Sequence, residues 1–270
     1  MLNNITPVIL TFNEEANIAR TLSQLSWAQR IVVIDSFSSD ATLEILSRYP
    51  NVDVFQRSFD THAAQWNYGL EKADTAWILS LDADYYLTNE LIEEINQLKP
   101  TATAYSIKFK YCINGKPLRG AILPPRLALF NRHEAIYFDD GHTQQLEAQG
   151  PVEALTHSIL HDDRKSLKRW LWAQERYATL EVEKLNRMSS SELGMADRIR
   201  QYKVVAPLLV LVYCLFFRGV IFDGPAGWYY AWERTLAEIV LSLLLIENQF
   251  HSSREPQKTF TSDFITSATH

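Results

Sequence analysis

The apolar run Trp77–Leu81 ends in two carboxylates set one residue apart, Asp82 and Asp84, followed by Tyr85 and Tyr86. Like charges at the tip of a buried strand repel each other and lose hydration, so they are stable there only beside something cationic. Hard oxygen donors of this kind suit Mg2+ or Mn2+. Other acids also follow apolar runs: Glu14 and Glu15 come after "PVILTF", and Asp35 comes after "IVVI". Taken alone, the Asp82/Asp84 pair fits a solvated surface turn better than a metal site. The acids at neighbouring strand ends are what favour a bound cation.

Residues so far apart meet only if regular elements deliver them to one place. Residues 7–12, "PVILTF", read as a strand, and "NEEANIARTLSQL" then places Ile18, Leu22 and Leu25 on one face of a helix. The pattern repeats as a strand Ile31–Ile34, a Ser/Asp loop, and a helix with Asp40 at its N-cap. It continues through the strand "VDVFQ", the helical "THAAQWNYGLEKA" and the strand "AWILSLD". Strands alternating with helices of about ten residues imply an α/β fold with a parallel sheet covered by helices. Such sheets bind ligands at the carboxyl ends of their strands, which would gather Glu14, Glu15, Asp35, Asp82 and Asp84 along one edge. In "AYSIKFKY", Tyr105, Ile107, Phe109 and Tyr111 alternate with Ser106, Lys108 and Lys110, so one face of that strand is buried.

The chain of 270 residues is 47% hydrophobic and 21% charged, enough for one large domain with an appendage. Its net charge of -6 is uneven: residues 1–160 carry -7 and residues 161–203 carry +3. A basic excess confined to one segment excludes general nucleic-acid binding, which needs a broad basic footprint. Two cysteines, Cys112 and Cys214, are too few for a disulfide framework or a cysteine metal site and favour a reducing compartment. "MLNNITPVIL" lacks the basic and long apolar regions of a secretory leader.

The stretches "VILTFNEEANI", "IVVIDSFSSDAT" and "QWNYGLEKADTAWILSLDAD" resemble, in order and spacing, the nucleotide-sugar-binding half of a family 2 glycosyltransferase. The similarity extends to the lipopolysaccharide-core β-1,4-glucosyltransferase type through "RLALF", "ILHDDRKSLKRWLWAQERYATLEVEKL" and "FFRGVIFDGPAGWYYA", covering about residues 5–247. The resemblance implies the GT-A fold over residues 1–160, a Rossmann-like, mostly parallel sheet with helices on both faces. It implies inverting transfer of a hexose, glucose in this type, from a UDP-sugar to a lipopolysaccharide-core or lipid-linked acceptor, assisted by Mg2+ or Mn2+.

Carried over residue by residue, it places Thr11, Glu15 and Asp35 at the nucleotide's ribose and uracil, although Glu15 also reads as a helix-start acid. Gln65 and Asn67 fall in the segment that closes over the nucleotide-sugar, or on an ordinary helix face. Asp82 falls at the donor sugar or ribose, Asp84 becomes the direct metal ligand, and His161 approaches the diphosphate and metal. Two departures stand out. Related sequences carry a His-Glu pair where this chain reads "YFDDGHTQQL"; His142 matches, but Thr143 takes the glutamate position. Asp139 and Asp140 are then the candidates for the base, Asp140 being favoured by its neighbour Gly141. Tyr85 stands where an acid often follows the D-x-D. Arg119 and Arg126 would meet acceptor phosphates or be solvated.

From Arg164 a helical pattern with Trp170, Trp172 and Tyr177 runs to about Arg187, and residues 204–217, "VVAPLLVLVYCLFF", are uninterrupted apolar sequence. A spanning helix needs about 20 apolar residues, and this run is shorter. A second run, "IVLSLLLI", follows the cluster Trp228, Tyr229, Tyr230 and Trp232. Together with the preceding basic segment, residues 161–250 read as helices lying on or dipping into an anionic bilayer, with a homo-oligomer interface as the rival reading. The expected location is peripheral, on the cytoplasmic face of a bacterial inner membrane. A polar Ser/Thr-rich tail, residues 251–270, is expected to be flexible. Three other classes compete. A catalytically silent adaptor keeps the fold without turnover. A nucleotidyltransferase lacks its Gly-rich basic loop here. A phosphatase of the haloacid-dehalogenase type wants Thr or Val where Tyr86 stands.

Overall fold

The computed structural model describes residues 1–140, 143–189 and 193–252. In its first part, strands and helices alternate: β1 (Ile5–Thr11), α1 (Ile18–Ser23), β2 (Ile31–Asp35), α2 (Thr42–Leu46), β3 (Val52–Gln56), α3 (His62–Lys72) and β4 (Trp77–Asp82). There follow β5 (Tyr85–Leu87), α4 (Asn89–Gln97), β6 (Ala104–Ile113), the two-residue β7 (Lys116–Pro117), β8 (Arg126–Asn131), β9 (Ala135–Asp140), β10 (Thr143–Ala148) and β11 (Val152–His161). The helices α5 (Leu167–Arg187), α6 (Met195–Gln201), α7 (Val205–Val212) and α8 (Pro225–Ser252) complete the described chain.

The main sheet has the order β3-β2-β1-β4-β8-β6-β11-β5, and β7 pairs with β6. The first four strands form the expected parallel run. Beyond β4 the sheet becomes mixed, because β8 runs antiparallel to both β4 and β6, and β5 runs antiparallel to β11. β9 and β10 form a separate antiparallel hairpin.

Apolar residues fill β1, β2 and β4 almost continuously because both sheet faces are covered. Ile9, Val33, Leu79 and Leu81 pack with Ile18 and Leu22 of α1 and Leu91 and Ile95 of α4. The alternate residues Val8, Val32, Ile34 and Ile78 pack on the other face with Trp66 and Leu70 of α3. Helix α3 approaches β1 so closely that a Cβ on Gly69 would lie 2.6 Å from Val8 Cγ1. The alternation of β6 is observed as expected, with Tyr105 and Ile107 buried and Lys108 and Lys110 exposed.

The helical pattern from Arg164 becomes α5, whose N-cap Ser166 accepts the Arg169 N–H. The apolar run 204–217 forms α7 and then a π turn at Tyr213–Phe217. α5 and α8 share a core of Ala178, Val182, Leu185, Leu241 and Leu245. A further cluster, with Leu118, Ala121, Leu215 and Tyr230, ties the segment after β7 to α8. Among the described residues no helix is long and apolar enough to cross a membrane. Of the expected tail, residues 253–270 lie outside the described residues.

Candidate active site

The sheet register decides which acids meet. Thr11 is the partner of Asp35 and Leu10 is the partner of Asp82, so the ends of β2, β1 and β4 lie side by side, about 4.8 Å apart per strand. His161 is the register partner of Tyr85 across β11 and β5, and the Asp162 N–H donates to the Asp84 carbonyl. That pairing brings a residue 77 positions later in the chain beside the second carboxylate, with His161 Nε2 3.1 Å from Asp84 Oδ2.

Asp84 Oδ1 and His161 Nδ1 are both buried without a hydrogen-bond partner. Burial pushes the Asp84 carboxyl up, but the His161 ring and the Lys165 ammonium outweigh it and hold the group below the ordinary carboxylate range. Burial lowers His161, yet Asp84 wins and raises it. Lys165 Nζ lies 2.7 Å from Glu14 Oε1, and it too is raised despite burial, by Glu14 and Asp84. Glu14 moves upward because it is buried and lies close to Asp84. Asn17 links this group to the segment after β11: its amide nitrogen donates to Glu14 and Asp163, and its oxygen accepts the Arg164 N–H. Arg20 and Arg164 both donate to Asp162, which is buried.

Other expected site residues lie at the same edge but are engaged by the protein itself. Asp35 is 0% exposed and accepts from the Ser38 N–H, the Ser38 and Thr11 hydroxyls and the Gln56 amide. Four donors fill the acceptor sites of a carboxylate, so Asp35 shapes the loop after β2. Glu15 Oε2 accepts the Ala41 N–H at the start of α2, so it serves a helix other than α1, which it precedes in the chain. Asp40 accepts the Thr42 N–H, so it caps from one residue before the observed N-cap, Ala41. Gln65 donates to Ser36 and to the Arg57 carbonyl and accepts from the Arg57 guanidinium. Asn67 clamps the Tyr137 backbone on both sides, accepting its N–H and donating to its carbonyl.

Asp139 Oδ1 accepts the Ala63 N–H in the first turn of α3, so it fixes the hairpin to that helix. The Asp140 and Thr143 side chains, together with Gly141 and His142, lie outside the described residues.

Asp82 borders a cleft of about 1210 Å3 whose wall also includes Ser80, Tyr85, Arg126 and Tyr137. Tyr85 hydrogen-bonds the Asp82 carboxylate, and the Tyr137 hydroxyl contacts Ser80 at 2.8 Å. Asp139 does not line this cleft. Glu14 is expected at this edge together with Glu15, from which it is indistinguishable in sequence. Asp163 and Lys165 are not singled out there, and Lys165 reaches the site only through the β11 register.

Two protein ligands with free valences suit a cation that completes its shell with phosphate oxygens and water. Among the described residues no three His, Cys, Asp or Glu side chains are grouped to hold a metal on their own. Asp84 and His161 could therefore contribute two ligands to a metal whose remaining positions a diphosphate would fill.

Residues 6–100 match the family model described as Glycosyl transferase family 2. The chain is 27% identical over 144 residues to "Uncharacterized glycosyltransferase RP128" of Rickettsia prowazekii (strain Madrid E), covering 50% of this chain and 49% of that protein. It thus spans about half the length of that relative. It is 22% identical over 226 residues to "Lipopolysaccharide core biosynthesis glycosyltransferase LpsC" of Rhizobium meliloti (strain 1021), covering 80% of this chain and 81% of LpsC. Among solved structures it is similar to residues 1–349 of TarS from S. aureus, with a TM-score of 0.46 and 15% identity over 93% of this chain and 92% of that one.

Proposed function

We propose, from the match of residues 6–100 to glycosyl transferase family 2, that the protein transfers a hexose from a UDP-sugar to a lipid-linked or lipopolysaccharide-core acceptor with inversion. The observation that carries this reading is the convergence of Asp35, Asp82, Asp84, His161 and Lys165 on one sheet edge, where Asp82 lines a cleft of about 1210 Å3. Pockets for one small ligand occupy roughly 300–1,000 Å3, so this cleft has room for a donor and part of an acceptor. LpsC, similar over four fifths of this chain, carries lipopolysaccharide core biosynthesis in its name, which supports an envelope glycan as acceptor.

Asp84 and His161 would hold Mg2+ or Mn2+, and the cation would stabilise negative charge on the departing diphosphate. Lys165, paired with Glu14, brings a further positive charge to the same edge. Asp82, hydrogen-bonded by Tyr85 and facing the cleft, orients the donor sugar. The loop shaped by Asp35, Thr11 and Gln65 frames the nucleotide. For the base that removes the acceptor hydroxyl's proton, we assign Asp140 over Asp139, because the Asp139 carboxylate already holds the start of α3.

Leu208, Phe216, Phe217 and Phe222 are exposed on and after α7, with Lys203 and Arg218 nearby in the chain. This face would rest on an anionic bilayer and bring the enzyme to its acceptor. Cosedimentation with anionic but not neutral vesicles tests the docking. Calorimetric titration of UDP-glucose and other UDP-sugars, with and without Mg2+ or Mn2+, tests the donor reading. Metal-dependent binding followed by UDP release is expected. The absence of binding by every UDP-sugar overturns the reading in favour of a silent adaptor.

A further inference from the structure

The cleft beside Asp82 is larger than a donor sugar needs, and its lining is mixed. The strands supply Ser80, Asp82, Phe109, Arg126 and Leu127. The helices and the turn after α7 add Ala206 and Leu241, which are buried, and Leu209, Val212 and Phe217, which are 46%, 46% and 78% exposed. The apolar wall is therefore continuous with the exposed face of α7 and the π turn.

The charges in the cleft point to the head of its occupant. Arg200 lines it but is neutralised by Glu238 and Glu181, at 3.0 and 3.1 Å. Arg126 and Arg234 also line it, and among the described residues neither has an ion pair. Arg126 has Tyr85 and Asp82 as its electrostatic neighbours, so it stands at the donor end. Arg234 lies 5.8 Å over the Tyr230 ring, with Nε buried and without a hydrogen-bond partner. The Tyr230 ring lies 4.8 Å from Tyr111, tilted by 56°, and Tyr111 lies 4.8 Å from His161. Arg126, beside Asp82, and Arg234, over the Trp170 and Tyr230 rings and near Glu233, thus bring two guanidinium groups to the cleft that no ion pair among the described residues neutralises. Guanidinium is the side chain best matched to a phosphate.

Resting on the transferase reading above, we propose that the cleft holds the lipid part of the acceptor, a hydrocarbon chain bearing a phosphate. The phosphate meets Arg126 and Arg234, and the chain runs along α7 to the exposed face. The saccharide is then presented at Asp82, while the far end of the chain reaches the bilayer through the mouth formed by Leu209, Val212 and Phe217.

The test uses the full chain without membrane or donor and a ladder of n-alkyl phosphates from butyl to dodecyl, each below its micellar concentration, titrated by calorimetry. A buried methylene strengthens binding about fourfold. The expected result is a gain of that size per methylene, levelling off once the arm is filled. Leu209→Arg should flatten the ladder, with Val212→Arg as the second variant if circular dichroism shows the first misfolded. Arg126→Gln and Arg234→Gln should each weaken every member about tenfold and leave the slope unchanged. Affinity independent of chain length, equal to that of inorganic phosphate, or unchanged in both mouth variants overturns the proposal. UDP binding with Mg2+ is measured on the same samples. A flat ladder with UDP binding retained refutes the lipid arm alone, whereas a steep ladder without UDP binding refutes the donor reading alone.

Discussion

Asp84→Asn separates the role of this side chain in the fold from its role in transfer. The substitution keeps the side chain's shape and removes its charge, next to a ring nitrogen 3.1 Å away. An amide can still hydrogen-bond a neutral imidazole, so the fold loses the difference between a charge-assisted and a neutral contact, about 1–2 kcal/mol. In a chain of this size that lowers Tm by about 2–8 °C. Transfer should suffer far more, because the lost carboxylate is the one whose second oxygen, Oδ1, is buried without a partner and available to a cation. One electrostatic contact of this kind typically carries about 10²–10³ in turnover. We expect UDP release to fall by at least a hundredfold, while affinity for UDP measured without metal stays the same. Chelation should bring the unmodified protein down to the level of the variant and leave the variant unaffected. Turnover within threefold of the unmodified protein, or full turnover under chelation, would refute the assignment of Asp84 as the metal ligand.

Two further outcomes probe the frame around the site. Glu94 accepts from the Thr156 and His157 N–H groups and contacts the His157 ring. Burial pushes its carboxyl up, but these bonds outweigh it and hold it below the ordinary value of about 4.3. Its contribution is therefore present above that value and lost as pH falls through the depressed one. Glu94→Gln should cost about 1–2 kcal/mol at pH 7, with the urea curves of the two proteins converging in acid; a gap of constant size at both pH values contradicts this. Gly227 stands where a Cβ would lie 1.7 Å from the Val220 carbonyl oxygen. Gly227→Ala should therefore push α8 off the preceding turn at a cost of about 3 kcal/mol, and an unchanged Tm would show that the two segments do not pack this closely.

The parallel run β3-β2-β1-β4 was legible because both faces of those strands are covered, which leaves a nearly unbroken apolar signature and puts polar residues only at the ends. The placement of Asp35 and Asp82 at the carboxyl edge followed from the same rule. The site beyond that depends on pairings with no local trace. His161 reaches Asp84 only because β5 pairs antiparallel with β11 in one register; a shift of one residue would turn the ring to the other face. Asn67 sits in the expected helix, yet both ends of its amide meet the backbone of Tyr137, 70 residues away. Glu14 and Glu15 look alike in sequence, but one faces the buried Lys165 and the other the backbone of α2.

The charges also answer differently from what repulsion alone suggests. Five acids at one sheet edge imply a missing cation, yet most of that demand is met by the chain itself. Lys165 neutralises Glu14, the Ala41 N–H binds Glu15, and Thr11, Ser38 and Gln56 saturate Asp35. Lys165 comes from the segment that follows β11, well beyond the strand whose acid it balances. What the protein leaves uncompensated is narrower: one oxygen of Asp84 and one nitrogen of His161, both buried. An edge paired this far, with one carboxylate oxygen and one ring nitrogen left over, would bind a metal weakly in the absence of substrate. It follows that cation affinity should depend on the diphosphate arriving with it. That coupling separates a donor-carried metal from a resident one, because titration of Mn2+ with and without UDP gives a large difference in the first case and none in the second.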